Sequence, residues 1–229
     1  MISSMISANS KAVSLIEHGM HQDAVRVLSS TVKQCALSLF DVRARPLSPA
    51  YTPNAGLYVD ALVSPSKSSH FASPQEAEMF SHPFVMMVPN DELQDCTSLP
   101  SRELLAGCAA VCFYNMGLAC HLEWVKRQRN DSRVLSQALC LYGKAYQALQ
   151  LCHLLPTDSL LLLMMAVCTN SIDLNLELGQ LTTVQNLKEN LTSVVLHADK
   201  QQYSGNACFR YLYQATVLFR SDLVAARAA

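Results

Sequence analysis

Over most of the chain, apolar residues recur at the spacing of an α-helix, with polar residues between them. Ala12, Leu15 and Ile16 fall on one face of residues 8–19. Ala24, Val25, Leu28, Val32, Cys35 and Ala36 do the same over 22–39. Gly19 stands between the two runs and suits a tight turn joining antiparallel helices. Further on, Ser101 reads as the cap of a helix reaching about Arg127. Asp131-Ser132 caps a second, to about His153, and Thr157-Asp158 a third, to about Leu178, with Gly179 as its stop. Residues 181–198 and 207–226 complete a set of about seven helices. The pattern predicts an all-α fold of antiparallel helix pairs.

Residues 41–100 break the pattern. They hold eight of the nine prolines (46, 49, 53, 65, 74, 83, 89 and 100) and eight serines; the rest of the chain has only Pro156. Proline removes a backbone donor and breaks helix interiors at ~3 kcal/mol. This stretch therefore reads as a long irregular insertion between the second and third helices of a single domain, 1–229. Within it, 56–63 (GLYVDALV) and 83–88 (PFVMMV) alternate enough to form a small β-ribbon; otherwise they are apolar patches in a loop.

Composition narrows the function. The chain has 229 residues, 50% of them hydrophobic and 15% charged, so it can bury a substantial core. A net charge of −1, from 17 basic and 18 acidic residues, argues against nucleic acid and anionic membrane as partners. Nine cysteines without regular loop spacing make a poor disulfide framework, and a reducing compartment is the simpler expectation. With no charged start followed by an apolar run at the N-terminus, the expected setting is cytoplasmic, the nucleus remaining open. Residues 159–172 carry no charge over fourteen residues, short of the ~20 that a membrane span needs.

The segment Phe113-Tyr-Asn-Met-Gly-Leu-Ala-Cys-His121 resembles the first helix of a tetratricopeptide repeat, and Ser136-Gln-Ala-Leu-Cys-Leu-Tyr-Gly-Lys-Ala145 the second. Gly117, Ala138 and Ala145 would let the paired helices approach closely, with Phe113 as the motif's opening aromatic and Tyr142 filling the gap. The family spacing from Gly117 to Ala138 is exceeded by nine residues, which places an extension around 125–133. The closing proline is displaced to Pro156. Weaker echoes occur at Ala12, Leu15, Gly19, Ala24 and Leu28, and over 168–191, where Val184 replaces the expected alanine. Such repeats need neighbours and a terminal cap, a role open to 207–226. The arrangement is also similar to divergent tetratricopeptide-like proteins of diatoms and related algae. The resemblance implies a short right-handed solenoid with a concave groove lined by the first helices. Carried onto this chain, the groove falls at Val111, Tyr114, Leu118, His121 and Leu122, with Asn9 and Val13 at the matching positions of the first pair. Lacking lysine there, the groove should form no basic clamp.

Candidate chemistry is sparse. Cys120-His121 and Cys152-His153 each put two ligands about 100° apart on a helix, and Cys108/Cys112 and His18/His21 lie one turn apart. Zinc needs four converging ligands, so no metal is expected. With seven glycines there is no phosphate-binding or dinucleotide motif, and no nucleophile signature surrounds any cysteine or serine. Lys126, Arg127, Arg129 and Arg133 read as a helix C-terminus and a solvated turn. The expectation is a non-catalytic protein-interaction module, without cofactor, that binds a peptide or helix of unidentified partners in its groove. The alternatives are a self-associating protein using Leu160–Val167 as a homodimer face and, after that, a Cys/His enzyme or metal site.

Overall fold

The computed structural model describes residues 2–42, 57–61, 79–87, 102–152, 158–197 and 207–220. It is mostly helical. Among the described residues there are seven helices: α1 (Ile2–Glu17), α2 (His21–Val42), α3 (Arg102–Lys126), α4 (Ser132–Gln150), α5 (Asp158–Glu177), α6 (Leu181–His197) and α7 (Ala207–Arg220). Two strands, β1 (Tyr58–Ala61) and β2 (Phe84–Met87), pair as a two-stranded sheet. They lie inside the two stretches that alternate in sequence. The helices follow the apolar periodicity, with one large difference. α1 begins at Ile2 rather than near residue 8, because Met5 and Asn9 continue the buried stripe of Ala12, Val13 and Ile16. The expected caps Ser101 and Thr157, and the end of the last helix beyond 220, lie outside the described residues.

The chain divides into two compact units, one of 1–60 and 83–160, the other of 61–82 and 161–229. In the first unit α1 packs on α2, α2 on α3 and α3 on α4, while β2 lies against α1 and α3. The α3–α4 crossing is set by residue size. Gly117 has no side chain, and a Cβ placed there would sit 2.8 Å from Cε1 of Tyr142. The ring of Tyr142 thus occupies the space that any larger residue at 117 would need. Ala138, Tyr142 and Ala145 are fully buried on the facing helix, and Phe113 is half-buried with Nζ of Lys144 5.8 Å from its ring centre. Asp131 caps α4 as its sequence suggests: its carboxylate accepts from the backbone N–H groups of Arg133 (3.1 Å) and Val134 (3.3 Å).

Helix ends follow one geometry with two chemistries. After α1, Gly19 adopts φ +72° and the Met20 N–H reaches back to Leu15 O at 2.8 Å. After α5, Gly179 adopts φ +68° and Gln180 N–H reaches Asn175 O at 2.9 Å. These are glycine-closed Schellman turns. The turn after α3 makes the same bond, Arg129 N–H to Trp124 O at 3.0 Å, but with Gln128 and Arg129 at φ 57° and 61°.

In the second unit α6 packs on α7. Leu162, Leu163, Met165, Ala166 and Val167 of α5 are buried. Glu103–Lys126 and Leu160–Glu177 are both long and apolar enough to cross a membrane by length and composition, and 94% and 72% of their apolar windows are buried inside the fold.

Candidate functional site

A buried polar cluster on α1 and α3 marks the site. Asn9 and Asn115 are both fully buried. A carboxamide taken out of water must find partners or lose about 1–3 kcal/mol for each unmet group. Both find them in the same place, the backbone of Phe84 in β2. The Phe84 N–H donates to Oδ1 of Asn115 at 2.9 Å. Nδ2 of Asn115 donates to Phe84 O at 2.7 Å and to Oδ1 of Asn9 at 2.7 Å. Nδ2 of Asn9 donates to the same Phe84 O at 3.0 Å. An extended residue presents its N–H and C=O on one side, and a primary amide carries one acceptor and two donors that match them. The grip therefore reads backbone rather than side chain.

The side-chain part of the site lies beside it on α3. The Phe84 ring meets Tyr114 edge to face at 5.1 Å between centroids, a geometry that favours aromatic pairs. Tyr114 in turn touches Tyr142 at 5.8 Å. Of the groove residues expected from sequence, Val111, Tyr114, Leu118 and His121 are fully buried and Leu122 is half-buried. Their burial follows from α3 itself, which is apolar on nearly every face and so has protein on every side. His121 does not sit half-exposed at a helix end. Its Nδ1 lies 3.4 Å from the Tyr142 hydroxyl, and its ring lies between Trp124 and Tyr142. Val13 is buried beside the Asn9 turn of α1.

The second unit holds a related device. Asn170, fully buried on α5, accepts the Phe80 N–H at 2.8 Å and donates to Phe80 O at 3.1 Å. The Phe80 ring lies 5.8 Å from that of Tyr211 on α7. Neither Asn115 nor Asn170 stands out by sequence motif. The available signal was a carboxamide inside an apolar helix, which has to find partners; Asn175 on α5 finds one within its helix, at Ser171 O (2.7 Å), whereas Asn115 and Asn170 find theirs in Phe84 and Phe80.

Charged groups collect at the far end of α3. Glu123 accepts from Nε of Arg127 at 2.9 Å and pairs with Nδ1 of His21 at 3.2 Å; Arg127 also reaches Asp131 at 2.9 Å. Burial pushes the Glu123 carboxyl up, but hydrogen bonds and charge from Arg127 and His21 hold it below its ordinary value. Lys126 and Arg133 are exposed, and Arg129 lies 5.3 Å over the Trp124 ring. Of the basic cluster, Arg127 is paired with Glu123 and Asp131. Burial, with Glu123 nearby, pushes the Cys120 thiol up to about 12. Burial does the same for Cys168, to about 12, and, with Glu103 nearby, for Cys152, to about 11. Such thiols stay protonated and are weak nucleophiles. Nδ1 of His18 donates locally to Ser14 O at 2.7 Å, and His153 lies outside the described residues. Among the described residues no three His, Cys, Asp or Glu side chains converge as metal ligands.

Comparison with family models, with curated proteins and with solved structures finds no match.

Proposed function

We propose that this protein is a non-catalytic peptide-recognition module, a short TPR-like array whose first helices grip an extended chain. One observation carries the reading: Asn115 pairs with both the N–H and the C=O of Phe84, while Tyr114, at an expected groove position, takes the phenylalanine ring. That is how a helical surface would hold a peptide without depending on most of its sequence.

A peptide array probed with the full chain tests the reading. Weak binding of extended apolar peptides is expected, and Asn115→Ala should abolish most of it while helical circular dichroism is retained. Binding unchanged by Asn115→Ala, with Tyr114→Ala equally without effect, would remove the groove assignment.

A further inference from the structure

The grip on α1 and α3 already has an occupant, and the occupant describes the partner. Phe84 is fully buried and Met86, two residues on, is 2% exposed, whereas Val85 is half-buried and Met87 is 53% exposed. Alternate residues of an extended chain face opposite sides, so this surface takes apolar groups at positions i and i+2 and leaves i+1 and i+3 less constrained. Asn115 needs both the N–H and the C=O of residue i, which excludes proline there. An aromatic at i is favoured by the edge-to-face contact with Tyr114. In the second unit, taken separately, Asn170 holds the N–H and C=O of Phe80 in the same way. The device therefore occurs twice, each time on a phenylalanine.

We infer that the first unit binds in trans an extended segment of a partner protein with the pattern Phe-x-Met, and that residues 84–87 of the chain are a tethered competitor holding the same site. This rests on the peptide-module reading above. A tethered segment acts at an effective concentration on the order of millimolar, so a free peptide of equal intrinsic affinity binds the intact chain only weakly. Weakening the resident Phe84 contact should open the site to the free peptide.

The test uses the full chain and a fluorescein-labelled peptide, FSHPFVMMV, which copies residues 80–88. Anisotropy titrations compare the wild type with Phe84→Leu, which keeps the backbone and an apolar side chain and so preserves folding, as circular dichroism checks. Phe84→Leu should bind the peptide at least tenfold more tightly than the wild type. N-methylation of the peptide at its second phenylalanine should cost at least tenfold on the same variant. Equal affinity for wild type and Phe84→Leu, or indifference to N-methylation, would overturn the inference. Dimerisation of Phe84→Leu by light scattering, in place of peptide binding, would assign the site to a second copy and overturn it as well. If this peptide fails while unrelated extended peptides bind in an Asn115-dependent way, the inference falls and the module reading stands. If no peptide binds either chain, both fall.

Discussion

The α3–α4 and α5–α6 hairpins solve the same problem with glycine in opposite places. In α3–α4, Gly117 stands two residues after Asn115, at the helix crossing, and the turn is closed by Gln128 and Arg129 with positive φ. In α5–α6, Ile172 stands two residues after Asn170 and is fully buried, while Gly179 closes the turn. Val184, buried on α6, likewise replaces the alanine expected at the facing position. α3 and α4 approach closely along their length, and among the described residues α5 and α6 do not come as close. The comparison teaches that the asparagine grip tolerates either spacing. What the grip needs is a carboxamide on a buried first-helix face; the distance to the second helix is set separately, by one or two side-chain volumes.

The largest test of that contrast is to remove the bulk that stands in the second unit where Gly117 stands in the first. Ile172→Ala should cost about 3–4 kcal/mol, from lost burial and the cavity left behind, read as a shift in the urea midpoint. A loss under 1 kcal/mol would mean that Ile172 does not set the α5 packing. Next come the grips themselves. Asn115 makes three hydrogen bonds, and Asn170 holds both the N–H and the C=O of Phe80. At about 1 kcal/mol net for each bond, Asn115→Ala should cost about 3 kcal/mol and Asn170→Ala at least about 2. A loss under about 1 kcal/mol for either variant in denaturant titrations would break the parallel between the units.

The sequence carried these features unequally. Helical periodicity was readable wherever one stripe was apolar, as in α4, where Asp131 also announced the start. The crossing was readable too, because a glycine inside a helix needs a reason, and the Tyr142 ring, which a Cβ at 117 would meet at 2.8 Å, supplies it. The site was readable only in part. Tyr114 and His121 look in sequence like amphipathic groove residues, but α3 is enclosed and both are fully buried, with Nδ1 of His121 3.4 Å from the Tyr142 hydroxyl. Asn115 hid inside the repeat motif, and nothing local reveals that its partner lies 31 residues earlier in chain order, in an irregular insertion. A long-range polar contact of this kind has no periodicity to betray it.

At the crossing, Gly117→Ala should cost about 1–2 kcal/mol, since its new methyl must displace the Tyr142 ring. Combining it with Tyr142→Leu should recover part of that loss, because the ring that clashes is gone. A double-mutant cycle with no coupling between the two sites would show that the ring moves aside freely and that close approach does not depend on residue 117.

The smallest effect comes from giving the first hairpin the second hairpin's turn. Gln128 sits at φ 57°, where a Cβ crowds the backbone and where Gly19 and Gly179 serve the equivalent turns. Its Schellman bonds are already in place: Gln128 N–H to Val125 O at 3.0 Å and Arg129 N–H to Trp124 O at 3.0 Å. Gln128→Gly therefore relieves strain without needing a new contact, and should stabilise the chain by about 0.5–1 kcal/mol against the added entropy of the unfolded glycine. Arg129→Gly is the contrasting change. It relieves a similar φ of 61° but removes the guanidinium from the Trp124 ring, an attraction worth about 0.5–1 kcal/mol at exposed sites, and should come out near zero. Equal gains from both substitutions would show that the Arg129–Trp124 contact contributes nothing and that the turn is governed by backbone strain alone.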